Sequence, residues 1–182
     1  MRRRQGTLFS TTAGTWKHLA LAGSFIIAML TSGGLVYFAS VPSDGAQIIQ
    51  EIVDSHVRSL LAEHLTDITS SNQNTVKAWF DRQLNTTTEV KDFTAQGFPL
   101  IGGRLDYIDN RPVATVIYRH NKHPINLFIW AHPVQSLSHP EGSSRQGYNI
   151  RYWVQGDVTF WLISDLDGES LAQLESLIRG PI

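Results

Sequence analysis

The sequence predicts an α+β protein: a single N-terminal transmembrane helix, then an antiparallel sheet of about five strands packed with flanking helices. Three observations predict it. An uncharged run from Leu19 to Ala39 follows Arg2, Arg3, Arg4 and Lys17. Beyond Gln96-Gly97-Phe98-Pro99 the apolar spacing changes from helical to strand-like. From Asp165 onward it returns to a 3.6-residue period.

The run over 19–39 has 21 residues, which at about 1.5 Å each span roughly 32 Å, the thickness of a bilayer's hydrocarbon core. Every acidic residue lies at or beyond Asp44, so residues 1–39 carry +4 and the remainder −5, summing to −1. Basic flanks stay cytoplasmic, which places the N-terminus inside and the C-terminal part outside. A cleaved signal peptide fits less well. Its apolar region is normally shorter, and Val36-Tyr37-Phe38-Ala39-Ser40 has bulky residues where small ones are wanted. The expected organisation is a basic tail over 1–18, a span over 19–39, a linker over 40–46 and one extracytoplasmic domain over 47–180. Ala20, Ser24, Ala28 and Ser32 recur every fourth position and make self-association of the span possible, although small residues are common in any membrane helix.

Within the outer segment, Ile48, Ile49, Ile52, Val53, Val57, Leu60 and Leu61 form one helical stripe, with Gln50, Glu51, Asp54, Ser55 and Arg58 opposite. A short apolar stretch around Leu65 to Thr69 precedes a second helix with Val76, Trp79, Phe80 and Leu84 inward, capped by Ser71, Asn72 or Asn74. Strands follow at 104–108 and 113–119, around an Asp109-Asn110-Arg111-Pro112 turn, and at 125–130. After a long Pro/Ser/Gly segment from His132 to Gly147 come strands at 148–154 and 158–163. A last helix then carries Leu171, Leu174, Leu177 and Ile178 on one face, capped by Asp165 or Asp167. The helices are expected to cover one face of the sheet. Phe128 and Trp130 oppose Leu127 and Ile129, so either both faces are covered or an aromatic surface is left for a ligand or partner.

Composition excludes several functions. With no cysteine, neither disulfides nor thiolate chemistry nor a thiolate zinc site is possible. No Lys/Arg cluster follows residue 44, so no nucleic-acid surface is expected. Any transition-metal site would rest on histidine and carboxylates. His56 and His64, His120 and His123, and His132 and His139 are the pairs to consider, but none has the His-Glu-x-x-His pattern. Exposed or locally hydrogen-bonded histidines are the expectation. Asp165-Leu166-Asp167-Gly168-Glu169 lacks calcium-loop spacing and reads as a helix cap. Lys77, Arg104 and Arg119 read as salt-bridge or snorkelling positions. No nucleophile elbow or phosphate-binding glycine loop is present. The sequence therefore offers no catalytic, cofactor-binding or metal-ligating set, and no enzyme is expected.

Taken together, Thr75-Val76-Lys77-Ala78-Trp79-Phe80, Gln96-Gly97-Phe98-Pro99 through Arg104-Leu105-Asp106-Tyr107, Lys122-His123-Pro124 through Trp130, Gly147-Tyr148-Asn149 through Trp153, Phe160-Trp161 and Ser164-Asp165-Leu166 carry a resemblance. Over roughly 56–178 the chain resembles the extracytoplasmic part of bacterial transmembrane transcriptional regulators, the transmembrane anti-sigma factors. The resemblance implies residence in the inner membrane, a periplasmic sensory domain, and a sigma factor or partner regulatory subunit as the interacting protein. Members of that family usually carry a cytoplasmic, often zinc-binding, helical segment with a His-x-x-x-Cys-x-x-Cys motif, whereas here about 18 residues precede the span. Asn72, Asn74 and Ala78 stand where similar sequences tend to have Asp, His and Pro. The other expectation is a membrane-tethered binding module for a small molecule, a metal or an envelope protein.

Overall fold

The computed structural model describes residues 44–61, 64–84, 88–131 and 142–180. The expected span over 19–39, with its small-residue stripe, lies outside them. Among the described residues no helix is long and apolar enough to cross a membrane. The chain divides into Met1–Pro42 and Ser43–Ile182, and every element below belongs to the second unit.

That unit is α+β. In chain order it comprises α1 (Asp44–Leu61), β1 (Ile68–Thr69), α2 (Gln73–Gln83), a single 3-10 turn (Thr94–Gln96), β2 (Leu100–Ile108), β3 (Arg111–His120) and β4 (His123–Ala131). Then come β5 (Ser143–Arg145), β6 (Tyr148–Gln155), β7 (Val158–Ser164) and α3 (Gly168–Arg179). The strands form one antiparallel sheet in the order β1-β2-β3-β4-β7-β6-β5. The sheet has seven strands where about five were expected. The two extra ones, β1 and β5, are two and three residues long and sit at the edges. Alternation needs at least about four residues to register, so strands this short leave no periodic signal. Part of the expected 132–147 loop is thus a strand, and the helix begins at Asp44, inside the expected linker.

Turn chemistry sets the hairpins. Asp109 and Asn110 both adopt positive φ, 52° and 57°, the pattern of a two-residue type I′ turn. Arg111 and Pro112 are therefore strand residues and not turn residues, with Pro112 opposite Tyr107. Gln146 and Gly147 repeat the device at 54° and 86°. Asn72 is the cap of α2, accepting from the Asn74 and Thr75 amides at 2.9 and 3.3 Å. Asp167 caps α3, accepting from the Glu169 and Ser170 amides at 3.1 and 2.8 Å.

Both sheet faces are covered, which corrects the expectation of helices on one face. Val76 and Phe80 of α2 and Leu171 and Leu174 of α3 pack on Leu100, Val116, Leu127 and Leu162. On the other face Ile48, Ile49, Ile52 and Val53 of α1 pack on Val113, Phe128, Trp130 and Trp161. The reason is visible in β3 and β4, where six consecutive residues are buried in each, so neither side tolerates water. Each fully buried aliphatic side chain contributes roughly 1.5–3 kcal/mol, and α1 supplies four. Gly103 permits the closest approach on the α2 side: a Cβ there would lie 2.7 Å from the Phe80 ring.

Candidate functional site

The stripe of α1 does not continue as the sequence pattern suggests. Leu60 and Leu61 are exposed, whereas Ser55, His56 and Ser59 are buried. The C-terminal half of α1 has therefore turned polar residues toward the sheet, and the sheet answers with polar residues of its own. Arg104 and Asp106 lie two apart on β2 and project to the same side, a consequence of the two-residue strand period. Their ion pair closes at 2.7 Å, with side chains 6% and 13% exposed. The Asp106 carboxylate also accepts from Ser55 Oγ at 2.7 Å and Thr115 Oγ1 at 2.6 Å. Arg104 donates through Nη1 to the Leu65 carbonyl at 2.9 Å. One carboxylate and one guanidinium thus join α1, β2, β3 and the segment before β1. The Asp109 amide adds a tie by donating to Glu51 at 2.7 Å.

His56 lies beside this network, fully buried, with neither ring nitrogen hydrogen-bonded. Its ring meets Tyr148 of β6 edge-on, centroids 4.9 Å apart. Asn126 of β4 is near enough to favour the protonated ring, yet no amide atom of Asn126 completes a hydrogen bond. Burial, and then the Arg104 charge, hold the His56 pKa down from 6.5 to about 4, against the opposing pull of Asp165 and Asn126. At neutral pH the ring is uncharged. This corrects the expectation that every histidine is exposed or hydrogen-bonded.

The opposite face holds a cavity of about 350 Å³. It lies between the segment 88–93, strands β3, β4, β6 and β7, and the end of α3. Leu127, Ile129 and Phe160 form its floor, Phe93 and Tyr118 one wall, and Val158 and Ile178 another. The polar side chains are Thr88, Glu89 and Lys91 on one segment and Gln155 across from them. The Tyr118 hydroxyl donates to the Lys91 carbonyl at 2.8 Å, which fixes that segment against β3. A second hollow, about 210 Å³ and open to solvent, lies over Arg58, Ser59, His64 and Asp67 beside the Arg104 network.

The remaining sequence candidates stay separate. His64 falls beyond the end of α1 and pairs with Asp67 at 2.6 Å, so it does not share a helix face with His56. His120 Nδ1 is 2.9 Å from the Gly97 carbonyl, and His123 is 2.9 Å from Asp165. His132 and His139 lie outside the described residues. Among the described residues no three metal-ligating side chains converge. Lys77 pairs with Asp81 at 2.7 Å across one helical turn. Sequence reasoning passed over Asn126, although an amide inside the run Ile125 to Trp130 was a signal, and over the shared side of Arg104 and Asp106. No protein-family model matches the chain, and no curated protein sequence matches it either.

Proposed function

We propose that the chain is a membrane-anchored, anti-sigma-like transcriptional regulator whose extracytoplasmic α+β domain senses an envelope signal, and that it is not an enzyme. The observation that carries this reading is the position of α1. That helix begins five residues after the apolar run ends, and its C-terminal half lays Ser55 and an uncharged, unpaired His56 against the sheet beside Arg104 and Asp106. On this reading the helix passes between this docked position and a released one, the two states of different stability that signal transmission requires. The buried hydroxyls favour a regulatory reading over a catalytic one. Ser55 donates to Asp106, and Ser59 donates to the His56 backbone carbonyl at 2.7 Å, so neither is aimed at an imidazole base. Affinity purification of the full chain from solubilised membranes tests the proposal. A sigma factor or a partner regulatory subunit is expected to co-purify; recovery of neither a sigma factor nor RNA polymerase rejects direct sigma binding.

A second reading has its own support. The cavity above β4 and β7 falls within the size range of small-molecule sites, and its floor is apolar. On this reading the domain is a tethered binding module for a small molecule. Native mass spectrometry of the purified chain would detect a retained compound, and a bare mass in every preparation would count against it.

A further inference from the structure

On the binding-module reading, which this inference presupposes, the lining of the cavity on the α2 and α3 face decides the charge of its ligand. Among the described residues two charged side chains line it, Glu89 and Lys91, and they pair with each other at 3.0 Å. At 76% and 44% exposed they stand toward solvent, and as a pair they add no net charge to the lining. Tyr118 is buried on one wall and donates its hydroxyl to the Lys91 carbonyl at 2.8 Å, so the phenol is neutral and already committed. Phe93, Leu127, Ile129, Val158, Phe160 and Ile178 supply the apolar lining. An ion entering this space leaves its hydration behind and meets no uncommitted counter-charge, and a buried charge without a partner is costly. A neutral apolar body carries no such cost, and it displaces water that finds few hydrogen-bond partners over the floor. The uncharged polar side chains are Thr88 and, across from it, Gln155, whose carboxamide both donates and accepts. At about 30 Å³ for each water-sized group, 350 Å³ holds roughly a dozen heavy atoms.

We propose that this cavity binds an uncharged amphipathic molecule of about a dozen heavy atoms, its apolar body on Leu127, Ile129 and Phe160 and one neutral hydrogen-bonding head, a hydroxyl or an amide, beside Gln155. Ions of either sign and the same shape are disfavoured alike. An amine finds Glu89 already holding Lys91, and a carboxylate finds Lys91 already holding Glu89. A neutral head leaves that pair intact and uses the amide, which has a donor for an oxygen and an acceptor for a hydroxyl.

The test uses the full chain in lipid nanodiscs, with empty nanodiscs correcting for partition into lipid. Equilibrium dialysis compares three probes on one skeleton, 4-phenylbutan-1-ol, 4-phenylbutylamine and 4-phenylbutanoate, at pH 7 and low salt. The alcohol is expected to bind saturably at one site per chain, at least tenfold tighter than either ion. Val158→Trp, which fills the cavity, is expected to abolish that binding, and Gln155→Leu, at an exposed position, to weaken it at least threefold without touching the core. Either ion bound as tightly as the alcohol, or alcohol binding unchanged by Val158→Trp or by Gln155→Leu, overturns the assignment. Binding of no probe overturns it as well. The broader reading is judged separately by native mass spectrometry of the purified chain: a retained compound that is ionised at pH 7 overturns the neutral assignment and keeps the binding module, whereas a bare mass together with no probe binding overturns both.

Discussion

Acidification should loosen α1 through His56. In the unfolded chain this imidazole has its ordinary pKa of 6.5, whereas in the folded domain burial and Arg104 hold it at about 4. A depressed folded pKa means that the unfolded state binds the extra proton between these two values, so folding stability is full above pH 6.5 and falls as pH drops toward 4. The gap of about 2.5, at about 1.36 kcal/mol for each, sets a limit of roughly 3 kcal/mol, of which about 2 kcal/mol is already lost at pH 5. For a domain of ordinary stability that is a large share. Urea unfolding of the chain in a non-ionic detergent, followed by tryptophan fluorescence at pH 7.5 and pH 5, measures it. Because Asp165 also meets His123, the comparison is with His56→Gln, which keeps every other titrating group. The wild type should lose about 2 kcal/mol more than the variant between the two pH values. Parallel losses would show that the buried ring does not take up a proton on unfolding and would refute the reasoning.

Further outcomes follow from other contacts. Arg104→Met leaves the buried Asp106 carboxylate with hydroxyl donors only, and should destabilise the domain by about 3–5 kcal/mol in the same unfolding assay at neutral pH. Gly103→Ala sets a methyl against the Phe80 ring and should cost about 1–3 kcal/mol, a loss that additional Phe80→Leu should partly relieve. If the stripe Ala20, Ser24, Ala28 and Ser32 mediates self-association, Ser24→Leu with Ala28→Leu should weaken crosslinking in membranes; unchanged crosslinking eliminates that role.

Most of the regular structure was legible in the sequence because its cause is local. The β-branched and apolar runs in 104–108 and 113–119, the caps Asn72 and Asp167 among their alternatives, and the stripe Leu171, Leu174, Leu177 and Ile178 each depend on neighbours within a turn or two. What escaped depends on partners far along the chain. Ser55 is out of place on a helical wheel until the hydrogen bond that it donates to Asp106, 51 residues away, is counted. His56 belongs to the buried side for the same reason, since its surroundings come from β2, β4 and β6. The cavity was illegible for the same cause: its lining comes from the segment 88–93, four strands and the end of α3, which only the completed fold brings together.

β4 forms a partition between two compartments. Leu127 and Ile129 floor the cavity, while Asn126, Phe128 and Trp130 face α1 and its histidine, and all five are consecutive on one backbone. A strand has no slack between adjacent residues. The cavity and the buried histidine therefore share one backbone, whose successive side chains alternate between them.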